Sequence, residues 1–172
     1  APDASTLDAR VASARQHIVE GTPPGPGVFF QAAPIRGEIA AVFSGAGSAY
    51  AGMGRALLQA LPEYGRKLAT DHPAAADALS APWPADETVA PLQRLWSASA
   101  LCQLHASVSK DLLGLKLDAV IGYSSGESNS LFATGIWSDL SAMINDARAG
   151  ALFTEEIGGK MGAVRRAWGT DV

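Results

Sequence analysis

The sequence is poor in the residues that build disulfides and metal sites. It has one cysteine, Cys102, and three histidines among 172 residues. A single cysteine cannot form a disulfide within the chain, and between Leu101 and Leu104 it is expected to be a small buried apolar residue. Because the histidines are far apart in the sequence, we expect no metal site.

Charged residues are also scarce, at 17% of the chain, and the formal net charge is −4. This composition offers no basic stripe for phosphates, so we expect no nucleic-acid partner. The chain has no apolar run long enough to cross a membrane and no basic-then-apolar signal at its N-terminus. We therefore expect no membrane partner and a cytoplasmic location. The 48% apolar content favours one α/β domain around a buried parallel sheet.

Residues 1–36 are predicted to form a linker helix and a connector. The apolar spacing of Leu7, Val11 and Ile18 predicts a helix that is capped by Ser5 and ends at Gly21. The run Thr22–Gly27 is rich in proline and glycine, which exclude regular structure.

A first core strand is predicted over Glu38–Phe43, followed by a glycine-rich loop and a helix from about Ala49 to Ala60. The loop matches neither phosphate-binding pattern, because Tyr50 and Met53 stand where a glycine and a lysine would be needed. We expect Gly45 instead to let a backbone N–H approach a bound group closely.

The second half of the chain predicts a crossover to a parallel strand. A loop is expected over Pro82–Pro91, then a helix over Leu92–Leu113 with His105 on its core face as a structural residue. The apolar run Ala119–Ile121 predicts a strand buried on both faces. A helix capped by Ser138 and a strand over Met161–Arg166 are expected to follow.

The segment Gly122-Tyr123-Ser124-Ser125-Gly126 carries most of the functional information. Gly-x-Ser-x-Gly between a strand and a helix is the pattern of a nucleophile elbow, a sharp bend that exposes one serine hydroxyl. The alternative is a glycine-rich turn with no chemistry. The preceding apolar run and Gly135, placed to end the next helix, favour the nucleophile interpretation.

Three motifs in order resemble the malonyl-type acyltransferase domains of fatty acid and polyketide synthases. They are Phe43-Ser44-Gly45-Ala46-Gly47, Gly52-Met53-Gly54 and Gly122-Tyr123-Ser124-Ser125-Gly126-Glu127. Ala46, Tyr123 and the run Ser128–Ala133 are most similar to iterative synthases that make enediyne or polyunsaturated chains.

The resemblance implies a fold and a set of site residues. The fold would be an α/β-hydrolase-like large subdomain with a parallel sheet over 37–158, truncated at the start of a ferredoxin-like small subdomain at 159–172. Ser124 would be the nucleophile, and the N–H groups of Ser125 and Ala46 would form the oxyanion hole. Gly45 and Tyr123 would contact substrate. The family's carboxylate-binding arginine falls on Ala149, so Arg148, one position earlier, becomes the substrate-binding candidate.

The implied reaction moves malonyl from malonyl-CoA to the phosphopantetheine thiol of an acyl carrier protein, with no cofactor bound by this chain. The family's base is a histidine downstream of the elbow, whereas no histidine follows Ser124 here. The resemblance therefore implies the N-terminal portion of a larger domain, whose partners are the C-terminal remainder and neighbouring synthase domains. Two alternatives remain, a thioesterase or esterase and a non-catalytic scaffold module.

Overall fold

The computed structural model describes residues 3–33, 36–80 and 91–170. The chain divides into two compact units, Ala1–Gly37 and Glu38–Val172. None of the described helices is both long enough and apolar enough to cross a membrane.

The first unit is a single helix with its following segment folded along it. Helix α1 spans Ala4–Glu20 and ends, as predicted, at Gly21, which adopts a left-handed conformation at φ 68°. Its cap is Asp3 and not Ser5, because the Asp3 carboxylate accepts the Thr6 N–H at 2.7 Å. Farther along, the Ser13 hydroxyl accepts the Gly25 N–H at 3.0 Å.

The second unit is mixed α/β and mostly helical, which confirms the predicted class at that level. Two strands form a parallel sheet, β1 (Ala40–Phe43) and β2 (Ala119–Gly122). The helices of this unit are α2 (Arg55–Ala60), α3 (Pro62–Asp71), α4 (Pro73–Ser80), α5 (Pro91–Ser107), α6 (Ser125–Thr134), α7 (Leu140–Ala149) and α8 (Gly162–Trp168).

The sheet is covered on one face only, within the described residues. Phe43 points into a small cluster with Ala106 of α5 and Ala133 of α6. On the opposite face Val42 is 73% exposed and Ile121 59% exposed. The prediction that the second strand is buried on both faces is therefore wrong, since an apolar run shows that a strand can be buried but not what covers it.

The main core lies among α3, α4, α5 and α7. Its buried side chains include Leu68, Trp96, Leu104, Leu140 and Ile144. Helix α5 supplies the long predicted helix and continues into a π-helical turn over Val108–Leu112. His105 is exposed, so its predicted place on the core face is wrong.

Other boundaries differ from the prediction for local reasons. Helix α2 begins at Arg55 because Gly52 and Gly54 adopt positive φ values of 74° and 80° in the preceding turn. Helix α7 is capped by Asp139 and not Ser138, since the Asp139 carboxylate accepts the Ala142 N–H at 2.8 Å. Residues 82–90 of the predicted loop lie outside the described residues, and Pro91 begins α5.

The strand predicted over Met161–Arg166 is wrong. The structure has helix α8 there, with its cap residue Met161 at φ 54°. The sheet of the described residues consists of β1 and β2 alone, so this segment has no strand to pair with. A helix instead satisfies its backbone groups within the segment itself.

Candidate active site

Ser124 occupies the bend between β2 and α6. Its backbone lies at φ 58° and ψ −128°, and it caps α6 without a hydrogen bond from its side chain. A non-glycine residue in this conformation carries strain, and such strain is concentrated at functional sites. Ser124 is exposed, as a nucleophile at this position has to be. The predicted order of strand, sharp bend and helix is confirmed.

The two glycines of the motif allow α6 to pack directly on the strands. A Cβ on Gly126 would lie 2.0 Å from the carbonyl oxygen of Phe43. A Cβ on Gly122 would lie 2.4 Å from both the N and the Cα of Glu127. Both distances are far below van der Waals contact, so the bend accepts only glycine at these positions.

The glycine-rich loop after β1 lies against the serine. Gly45 is buried, and a Cβ built on it would be 3.0 Å from the Ser124 Cβ and 3.3 Å from its Oγ. The Tyr123 N–H donates to the Phe43 carbonyl at 3.0 Å, which extends the parallel pairing to the edge of the bend. Two segments that are far apart in the sequence thus meet at one hydroxyl.

The backbone N–H groups of Ser125 and Ala46 are among those at this junction that have no acceptor within the described residues. Ser125 is the first residue of α6, and Ala46 is the first residue of a 3₁₀ turn over Ala46–Ser48. Neither N–H has a backbone or side-chain acceptor there. The first N–H groups of a helix have no partner inside it and attract negative charge.

The side chains beside the bend are largely open to solvent. Tyr123 is 78% exposed. Glu127 is exposed in the first turn of α6, where a carboxylate favours the helix dipole by about 0.3–1 kcal/mol. Its backbone carbonyl accepts the Ser130 hydroxyl at 2.7 Å.

Arg148 lies in the last turn of α7. Its guanidinium is 4.0 Å from the Asp77 carboxylate of α4. No hydrogen bond or ion pair joins it to the bend within the described residues, and Ala149 follows it at the end of the helix. The structure therefore places Arg148 in an ion pair between helices, and a substrate contact stays a prediction.

No base is hydrogen-bonded to Ser124 among the described residues of the second unit. The two histidines of that unit, His72 and His105, line other cavities. His72 lines a cavity of about 160 Å³ with Tyr64 and Lys110. His105 lines a groove of about 480 Å³ beside β1. The described residues contain no group of three histidine, cysteine, aspartate or glutamate side chains that could hold a metal ion.

Sequence reasoning missed a buried polar pair one turn into α6. The Ser125 Oγ and both amide atoms of Asn129 are buried without a hydrogen-bond partner among the described residues. Asn129 is 0% exposed. Unpaired buried groups of this kind cost about 1–3 kcal/mol each. The i, i+4 spacing places both side chains on one helix face, but burial depends on α5 and could not be read from the spacing.

Helix α5 is hydrogen-bonded to α6 at Asn129. The Gln103 Nε2 donates to the Asn129 carbonyl at 3.1 Å, in a buried position. Burial raises the pKa of the Cys102 thiol, and the neighbouring Asn129 amide lowers it by less. Cys102, predicted to be a small buried apolar residue, is only partly buried, against the cluster that contains Phe43.

Comparison of the chain with protein-family models, curated proteins and solved structures found no match. The functional interpretation therefore depends on the geometry around Ser124 and on the three motifs of the sequence.

Proposed function

We propose that this chain is the nucleophile-bearing part of an acyltransferase that moves malonyl, or a similar acyl group, from coenzyme A to an acyl carrier protein. The observation that carries the proposal is the conformation of Ser124, at φ 58° and ψ −128° on an exposed strand-to-helix bend. Few roles other than nucleophilic attack give a reason to maintain a strained, solvent-facing serine at this point.

The chemistry has two balanced half-reactions. The Ser124 Oγ attacks the thioester carbonyl, the carbon–sulfur bond breaks, and the serine proton passes through a base to the leaving coenzyme A thiolate. The phosphopantetheine thiol of the carrier protein then attacks the Ser124 ester and gives its proton to the same base. That base returns the proton to Ser124 as the acyl–oxygen bond breaks.

The N–H groups of Ser125 and Ala46 are the proposed oxyanion donors. Both are unpaired within the described residues, and both open a helical turn. The contact between Gly45 and Ser124 brings the loop of Ala46 to the same side of the bend. Donors that are oriented before the reaction stabilise the developing oxyanion without further reorganisation.

Acyl recognition is assigned to three further residues. Gly45 leaves space beside the Ser124 hydroxyl for the acyl group, and Tyr123 presents an exposed ring next to the nucleophile. Arg148 would hold the malonyl carboxylate by exchanging its 4.0 Å ion pair with Asp77 for the substrate. No bound cofactor is required for this chemistry.

The remaining part of the domain would supply the base and cover the sheet. The proposed fold is the large subdomain of an α/β-hydrolase-like acyltransferase. The ferredoxin-like subdomain expected from residue 159 is not carried forward, because residues 162–168 form helix α8 and not its first strand. Exposed Val42 and Ile121 on the bare sheet face support a complementary segment that packs there. In a cytoplasmic synthase this segment, the carrier protein and neighbouring domains would be the partners.

The test is intact mass spectrometry of the full-length polypeptide after incubation with malonyl-CoA. We expect a malonyl adduct that is absent from Ser124→Ala and present in Ser138→Ala, a control at an exposed serine. An adduct that persists in Ser124→Ala would refute the assignment of the nucleophile.

Two measurements separate the alternatives. Faster release of malonate to water than transfer to a carrier-protein thiol would identify a thioesterase or esterase. Failure of a fluorophosphonate probe to label Ser124 in the full-length polypeptide would identify a non-catalytic scaffold module.

A further inference from the structure

The buried polar pair of α6, Ser125 and Asn129, lies directly behind the nucleophile. Ser125 follows Ser124 in the chain, and Asn129 lies one helical turn farther on the same face. The Ser125 Oγ and the Asn129 Nδ2 and Oδ1 atoms have no hydrogen-bond partner among the described residues. Three unpaired polar atoms on one buried helix face are an exception that requires a physical cause.

Two polar side chains of α5 lie close to Asn129. The Cys102 thiol of α5 lies within range of a weak contact with the Asn129 amide, but a thiol is too weak a donor and acceptor to satisfy both amide atoms. Gln103 of α5 donates its Nε2 to the backbone carbonyl of Asn129, and it makes no hydrogen bond to the Asn129 side chain. A buried water molecule forms about three hydrogen bonds to such groups, and globular proteins hold roughly one per 27 residues.

We propose that Ser125, Asn129 and Cys102 bind an ordered water molecule between α5 and α6, and that Asn129 is thereby a positioning residue for the Ser125 N–H. The water ties the first two turns of α6 to α5. Because the N–H and the side chain of Ser125 belong to one residue, holding the Oγ restrains the backbone of that residue and with it the direction of the N–H. The catalytic part of this inference depends on the proposed acyl-transfer function, whereas the water site does not.

The first experiment measures thermal unfolding of the full-length polypeptide with Asn129→Leu, and with Asn145→Leu as the matched control on the exposed face of α7. If water satisfies the amide, Asn129→Leu removes its hydrogen bonds and lowers the midpoint by about 3 °C or more, while the control changes little. If no water is present, the same substitution removes two unpaired polar atoms and leaves the midpoint unchanged or raises it. That result would overturn the proposal.

A second variant keeps the test decisive if Asn129→Leu does not fold. Ser125→Ala deletes only one oxygen and is expected to fold. Independently of any variant, a crystal structure of the unsubstituted protein should show a water within hydrogen-bond distance of both Ser125 Oγ and the Asn129 amide. An empty or protein-filled position there overturns the proposal. In the double variant Ser125→Ala/Asn129→Leu, a shift of the unfolding midpoint that differs from the sum of the two single shifts supports a shared water. A shift equal to that sum contradicts it.

The positioning role has its own measurement. Fluorophosphonate labelling of Ser124 gives two quantities, the maximal labelling rate and the probe concentration at which half that rate is reached. We expect Asn129→Leu to lower the maximal labelling rate at least fivefold and to leave the half-saturating probe concentration unchanged. A change in neither quantity refutes the positioning role. Absence of labelling in the unsubstituted protein instead contradicts the proposed function and leaves the water site to the first two experiments.

Discussion

Gly126 lies so close to Phe43 that a Cβ on residue 126 would be 2.0 Å from the Phe43 carbonyl oxygen. Gly126→Ala would therefore push α6 away from β1 and separate the bend from the glycine loop. We expect a loss of about 3 kcal/mol or more in the free energy of unfolding, measured by urea denaturation.

Gly47→Ala is the matched control for that substitution. Nothing lies within 4 Å of a Cβ on Gly47. Its free energy of unfolding should stay unchanged or rise by up to about 1 kcal/mol, because alanine restricts the unfolded chain. Equal losses in the two variants would show that α6 does not pack on β1 in this way.

Gly45→Ala tests the loop that lies against Ser124. The new Cβ would be 3.0 Å from the Ser124 Cβ and 3.3 Å from Oγ, so the serine side chain has to turn or the loop has to shift. We expect fluorophosphonate labelling of Ser124 to slow by tenfold or more, while the free energy of unfolding falls by about 1–2 kcal/mol. Labelling at the normal rate would place the loop farther from Ser124.

Ser124→Gly should be more stable than Ser124→Ala. Both remove the hydroxyl, but only glycine adopts φ 58°, ψ −128° without strain. Relief of strain of about 1–3 kcal/mol exceeds the entropic cost of glycine, so a net difference of about 1 kcal/mol is expected in urea unfolding. Equal stability would mean that the bend relaxes in solution.

Local signals in the sequence predicted the elements that local physics determines. Gly21 and Gly135 end their helices in left-handed conformations, at φ 68° and 78°. The predicted caps Ser5 and Ser138 are wrong, because a nearby aspartate, Asp3 or Asp139, accepts the hydrogen bond at the start of each helix. Serine and aspartate are about equally good helix caps, so the direction in which the chain enters the helix decides which of the two makes the hydrogen bond.

Features that depend on distant parts of the chain were not predictable. The burial of Asn129 comes from α5, and the exposure of Ile121 from what is packed on each face of the sheet. The segment 162–168 was predicted as a strand and is a helix. A strand requires a neighbouring strand, and a local sequence does not show whether one is present. Close approach at Ser124 was predictable because glycine at 45, 122 and 126 marks it.

The cap of α1 gives a pH dependence of known sign. Hydrogen bonds from the Thr6 backbone and the Ser5 hydroxyl hold the pKa of Asp3 below its usual value of 3.8. A carboxyl whose pKa is lower in the folded than in the unfolded chain stabilises the folded state at pH values above the unfolded pKa. That stabilisation is lost as the pH falls through the folded pKa. Exchange of the Thr6 amide proton should therefore accelerate below about pH 3.8, beyond the change in intrinsic rate.

Asp3→Asn provides the comparison for that measurement. Asparagine caps helices as well as aspartate and does not titrate. The variant should protect the Thr6 amide equally at neutral and acid pH. Loss of protection in both proteins at the same pH would assign the effect to another group.

Lys110 stabilises the end of α6 that is opposite Ser124. Its Nζ donates to the Ala133 carbonyl at 3.0 Å, in the last turn of the helix, where a cation also favours the dipole. Lys110→Met keeps the aliphatic stem but removes the bond, so we expect a loss of about 1 kcal/mol in urea unfolding. Lys116→Met, at an exposed lysine, is the control and should change stability by less than about 0.5 kcal/mol. If both substitutions cost the same, net charge and not the anchoring bond would explain the loss.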